Sequence, residues 1–260
     1  MIPSKIISER SREGRALPEL VRIEFVKLRH RKYVWLMLPS ALIMPAIAAC
    51  FFKASGMPDA TPMRFYKMAA FSYTIWLVLP AVLGMLCTML MYEERCDDTL
   101  KQLWIVPVSK TALFFSKLTV VIVYSVCFMF TAAAGSFLAG ILTGITASGY
   151  DSVRFLFLKC LQCGILIPFA MMPVLAVAAS QKGYVLPVCI TVVYAFTGFI
   201  MLMVNVYVFP LSSAIAVLIK DIEGVVMDGP VDTGMAFLSI AIWGTVSAVF
   251  GVYVLGRECR

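Results

Sequence analysis

Residues 112–143, ALFFSKLTVVIVYSVCFMFTAAAGSFLAGILT, hold one charged side chain, Lys117, in an otherwise apolar run. A hydrocarbon layer about 30 Å thick is crossed by about 20 helical residues, and only a helix satisfies its own peptide groups there. This run exceeds that length and is expected to project past the membrane, with Lys117 close enough to one end to snorkel. Working outward, five more runs pass the same test: roughly Tyr33 to Phe52, Phe71 to Met91, Cys160 to Ser180, Val185 to Val204 and Ala236 to Gly256. Over 260 residues, 61% are hydrophobic and 14% charged, so there are too few charges to cover a water-exposed surface of this size. The expected fold is an all-α integral membrane protein. One transmembrane domain spans residues 1–260, with six transmembrane helices.

The formal charge of +7 invites a nucleic-acid reading, but the positions of Lys and Arg argue against it. With the N-terminus inside, sixteen of the 22 fall in the segments 1–32, 92–117, 181–184 and 257–260, and six on the opposite side. Basic residues concentrate on the cytoplasmic side of membrane proteins, so both termini are expected there. The excess then serves topology and anionic headgroups, and no nucleic acid is needed. A lipoprotein-like box, Ile47-Ala48-Ala49-Cys50, follows a charged leader too long for a signal n-region and a stretch broken by Pro39 and Pro45, so it reads as chance. The cysteines lie mostly inside apolar runs and read as small hydrophobes rather than a disulfide framework.

Three segments between the spans carry information. In the basic segment 1–32, Leu17, Leu20, Val21, Phe25 and Leu28 recur at helical spacing, with Arg22, Glu24, Arg29 and Arg31 among the other positions. This is the pattern of a cytoplasmic interfacial helix, with Pro18 in its first turn. In the loop 92–111, Asp97 and Asp98 can cap a short helix starting near Thr99, Pro107 stops it, and Ser109 caps the next. Its apolar residues Leu100, Leu103, Trp104 and Ile105 need a partner surface. In the external segment 205–235, the apolar stretch Leu211 to Ile219 is too short to span, so short re-entrant or surface-lying helices are expected.

Other chemistry is missing. No G-x-x-x-x-G-K-[ST] phosphate cradle, G-x-S-x-G elbow or H-E-x-x-H helix occurs, and His30 is the sole histidine. Catalytic and metal-ligating residues are therefore expected to be none, and Cys160-x-x-Cys163 reads as packing. The small-residue stripes Gly140/Gly144 and Gly244/Ala248/Gly251 suit close helix approach, within one bundle or between subunits.

The cytoplasmic loop carries a resemblance. Glu94, then Asp98-Thr99-Leu100-Lys101-Gln102-Leu103, then Pro107-Val108-Ser109-Lys110 resembles the coupling region of type-2 ABC (ABC-2) transporter permeases, with Asp98 where those usually have Gly. The six spans, the run Glu24-x-x-Lys27-Leu28-Arg29 and the proline-marked segment before the last span extend the likeness. Within that superfamily the chain is most similar to the permeases of lantibiotic and bacitracin-type antimicrobial peptide immunity transporters. The resemblance implies a multi-pass exporter subunit in a bacterial plasma membrane, without cofactor of its own. ATP and Mg would lie on two cytoplasmic ABC ATPase subunits, and a second permease, identical or homologous, would complete the complex. The ATPase-coupling residues would be Glu94, Asp98, Thr99, Leu100, Leu103, Trp104, Pro107 and Ser109. The cargo would be an amphipathic peptide entering from lipid. Export of another lipid or drug-like substrate and an autonomous ion-coupled carrier are the alternatives.

Overall fold

The architecture is that of a computed structural model, which describes residues 18, 20–29, 31–55, 62–96, 110–144, 150–181, 183–220 and 231–258. Among these residues every regular element is helical. Residues 20–29 form α1. Six helices are long and apolar enough to cross a membrane: α2 (Lys32–Ala54), α3 (Pro62–Tyr92), α4 (Lys110–Thr143), α5 (Tyr150–Ala170), α7 (Val185–Val204) and α9 (Thr233–Gly256). Two shorter helices complete the set, α6 (Met172–Ser180) and α8 (Pro210–Ile219).

The spans agree in number with the hydropathy reading but differ in bounds. The second starts at Pro62 rather than near Phe71, taking in Arg64 and Lys67. The fourth starts at Tyr150 rather than Cys160, because a helix can place Asp151 in its first turn, where a carboxylate faces the positive dipole end. Its second half is a separate helix: the chain breaks at Met171 (φ −89°, ψ 1°), between Pro168 and Pro173, and α6 continues to Ser180. Three further irregularities are the 3₁₀ stretch Leu38–Leu42 of α2, which holds Pro39, and two π-helical turns of α3, Lys67–Phe71 and Thr74–Val78.

Packing at the centre relies on glycines. A methyl group on Gly164 would lie 2.9 Å from the Val126 backbone, so α4 and α5 approach almost backbone to backbone. A Cβ at Gly84 would overlap the Thr191 side chain, fixing α3 against α7, and one at Gly251 would meet the Phe114 ring, fixing α9 against α4. Gly244 lies against the Met172 sulfur on α6. The small-residue stripe of the last span is thus used inside the bundle. Gly144 has another role. At φ +73° with open space around it, it ends α4 in the left-handed conformation that glycine adopts without strain.

Several hydroxyl groups inside the spans are absorbed locally, although Thr74, Ser125 and Ser239 are buried without a hydrogen-bond partner. Thr88, Ser136, Thr191 and Thr197 each donate to the carbonyl four residues back, at 2.8 to 2.9 Å. Six cysteines are free thiols; Cys87, Cys160 and Cys163 are buried as read, while Cys50, Cys127 and Cys189 face outward from the bundle.

The helix α8 is not surface-lying. Nearly all of it is buried, packed against α5, α7 and α9. A Cβ at Gly198 would lie 2.7 Å from Leu211, so the chain folds back beside α7 rather than continuing outward. Gly198 is six residues before the end of α7, about 9 Å at 1.5 Å per residue. Ser212 and Ser213 both donate to the Val206 carbonyl, at 2.9 and 2.8 Å, and the Trp243 indole donates to Val208 O at 3.0 Å. Tyr207 accepts the Asp232 amide at 2.9 Å, closing the entry to α9.

Candidate functional site at the base of the bundle

Two contacts mark one end of the molecule, and a third lies about 21 Å along α4 from it. The ammonium of Lys110, at the start of α4, donates to the Gly256 carbonyl near the end of α9 at 3.2 Å. The rings of Tyr92 and Tyr184 meet edge to face at 5.8 Å, joining the end of α3 to the start of α7. The Tyr124 hydroxyl donates to Val34 O at 3.0 Å, tying α4 to the first turn of α2. Cys96 and Lys110, which flank residues 97–109, therefore belong to the same end as α1 and the close of α9. This is the base.

At the base, α1 docks on the bundle by the face that carries Leu20, Val21, Glu24, Lys27 and Leu28. These positions follow a spacing of three to four, the period that keeps side chains on one helix face. The carboxylate of Glu24 is the unexpected member, only 4% exposed. It receives Lys27 Nζ at 3.4 Å from its own helix and lies 3.9 Å from Lys117 Nζ on α4. Lys117 in turn donates to Leu90 O of α3 at 2.8 Å. Three helices thus converge on one ammonium group.

Lys117 corrects the sequence reading. Instead of snorkelling to an interface it is fully buried, because a carboxylate and a carbonyl are supplied where it lies. A buried ammonium without partners would cost several kcal/mol, and so would a lone carboxylate. Each makes the other tolerable. The clue in the sequence was Glu24, four residues from both Leu20 and Leu28, which places it on the apolar stripe rather than among the solvated charges.

The other residues singled out are placed as follows. Leu28 is buried and Leu20 and Val21 are half-buried against the bundle, whereas Phe25 is 36% exposed and points away with Ile23 and Val26. Leu17 lies outside the described residues. Glu94 is in the final described turn of the helix that continues α3 to Cys96. Asp98, Thr99, Leu100, Leu103, Trp104, Pro107 and Ser109 lie outside the described residues. At the entry to α9, Asp232 is exposed and accepts the Gly234 amide at 2.9 Å. Among the described residues no group of His, Cys, Asp and Glu is arranged to hold a metal ion.

The family model for an ABC-2 family transporter protein matches residues 20–198, more than half of the chain, from α1 into α7. The chain belongs to the ABC-2 transporter family. The match begins at the first residue of α1 and takes in residues 97–109. This ABC-2 protein is accordingly the permease of an ABC exporter, a multi-pass membrane subunit whose family works with an ABC ATPase. No curated protein matches it.

Proposed function

We propose that this ABC-2 permease removes amphipathic antimicrobial peptides, lantibiotic or bacitracin-like, from a bacterial plasma membrane. It would do so paired with a second permease and driven by two separate cytoplasmic ATPase chains that carry ATP and Mg. The observation that carries the reading is the position of Cys96 and Lys110. Both flank the loop 97–109 at the end of the bundle where α1 docks and α9 closes. A lever that ends in one loop, between two long helices, suits a subunit that receives work from outside itself. The excess of Lys and Arg in the segments joined to this end supports a cytoplasmic base and cytoplasmic termini.

In this reading Leu100, Leu103 and Trp104 enter a groove on the ATPase, and Asp98, Thr99, Pro107 and Ser109 hold the short helix that presents them. Closure of the two ATPases tilts α3 and α4, and the path between the permeases opens to the other side. Cargo can drive that equilibrium only by its differential affinity for the two states. Peptide cargo is supported by the coupling motif's likeness to immunity permeases and by the apolar character of the spans, which favours entry from lipid. A lipid or drug-like cargo uses the same machinery.

Two measurements test this. Charging the proposed knobs, with Leu103→Glu and Trp104→Glu together, should abolish co-purification of the ATPase while the permease still inserts; intact assembly and intact ATPase stimulation overturn the docking role. Reconstituted permease without ATP should carry no flux under an ion gradient, and gradient-driven flux would favour an ion-coupled carrier.

A further inference from the structure

We propose that the Glu24–Lys117 ion pair is the joint that makes α1 move as one body with the bases of α3 and α4. Displacement of the ends of α3 and α4 that flank residues 97–109 then carries α1 with it; this deepens, and rests on, the transporter reading above. Lys117 lies seven residues into α4 and Leu90 six residues before Cys96, so the joint is about 10 Å along each helix from the edges of that segment. Any tilt of α3 against α4 at those ends must pass through the ammonium that both share. Glu24 fastens α1 to the same atom.

The chemistry of the contact argues for a joint rather than a simple filler. Leu20, Val21 and Leu28 already supply an apolar docking face, and an apolar pair in place of Glu24 and Lys117 would avoid the desolvation of two charges. What an apolar face does not supply is register. A helix held by leucines alone can shift by a turn and rebury similar surface, whereas a shift of α1 strands a buried carboxylate on one side and a buried ammonium on the other. The pair therefore permits one seating of α1 and penalises the intermediates. Glu24 and Lys117 are positioning residues, acting through the helices they join.

The test uses the full chain in phosphatidylethanolamine–phosphatidylglycerol nanodiscs, alone and assembled with its ATPase. With native cysteines replaced, spin labels at Val26→Cys and Phe115→Cys, both outward-facing positions, report the distance from α1 to α4. The intact pair should give one narrow population, with and without ATP and vanadate. Glu24→Gln and Lys117→Gln should each split or broaden it, and the exchange Glu24→Lys with Lys117→Glu should narrow it again; Lys117→Arg, which keeps the charge, should remain narrow whether or not the exchanged pair folds. Permease-dependent ATPase stimulation should fall roughly tenfold in each neutral variant, about 1.4 kcal/mol of coupling, and recover in the exchange. A narrow population in both Gln variants overturns the proposal, as does a broad one in Lys117→Arg or ATPase loss without any change in distance. Should the ATPase fail to bind the unaltered chain, the transporter reading fails, while the distances in the permease alone still decide the joint.

Discussion

At the base, α1 is held by one face, with two leucines, a valine and a buried charge pair; at the far end, α8 is held on nearly all sides, by burial and by neutral hydrogen bonds to backbone. Both are short helices outside the six spans, and both pack on the same bundle. The difference lies in what release would cost. Withdrawing α8 with the turn that leads into it would expose an apolar helix and strip the Val208 carbonyl of its Trp243 donor. Withdrawing α1 breaks the Glu24–Lys117 contact and a narrow apolar strip, while its outer face, with Arg22, Ile23, Phe25, Val26 and Arg29, already suits an interface of lipid and water. The far end is built to stay, and the base is built to transmit.

That contrast can be broken most severely at the far end. Gly198→Leu inserts a side chain where even a Cβ would lie 2.7 Å from Leu211, and should cost about 3 kcal/mol, read as lost thermal stability in detergent. A stability within the error of the unaltered chain would show that α8 is free to shift, and the two ends would no longer differ in kind.

The face of α1 can be sharpened by a pair of truncations. Leu28→Ala, at a residue 8% exposed, should cost about 2 kcal/mol, whereas Phe25→Ala, on the outward face, should change stability by about 0.5 kcal/mol or less. Equal losses in a thermal scan would mean that both faces are packed and that α1 is not a one-sided helix. A smaller loss than that of Leu28→Ala is expected from Trp243→Phe, which keeps an aromatic ring but removes the donor to Val208 O, at about 1 kcal/mol or less for a partly exposed bond. Hydrogen exchange of the 205–209 turn should rise in that variant while the base is unchanged.

How far the sequence could be read varied with the physics of each part. Spans show in composition because a bilayer excludes uncompensated polar groups, and that rule acts on every residue of a crossing helix alike. Their starts were misplaced where charged residues are accommodated inside the helix: Lys159 is buried on α5, and Arg64 and Lys67 lie in the early turns of α3. A residue-by-residue hydropathy count stops at such charges because it carries no information about partners. The proposed coupling pattern is a local one, since the caps, stop and knobs it invokes are neighbours in the chain, and it lies outside the described residues. The joint was half legible: Glu24 at apolar spacing hinted at burial, but Lys117 is 93 residues away and Leu90 contributes only a carbonyl, which leaves no trace in side-chain chemistry.

By itself, the order of residues determined that this chain crosses a bilayer six times, lacks a nucleotide cradle, and presents a short amphipathic helix before its first span. Those properties follow from local composition, which needs no knowledge of neighbours. Folding in three dimensions decided that the last span's glycines serve α4 and α6, that α8 turns back into the bundle, and that the charge of Lys117 is answered from α1. Each depends on two segments distant in sequence meeting at contact range, and a buried charge or a bare glycine is explained only by what it meets.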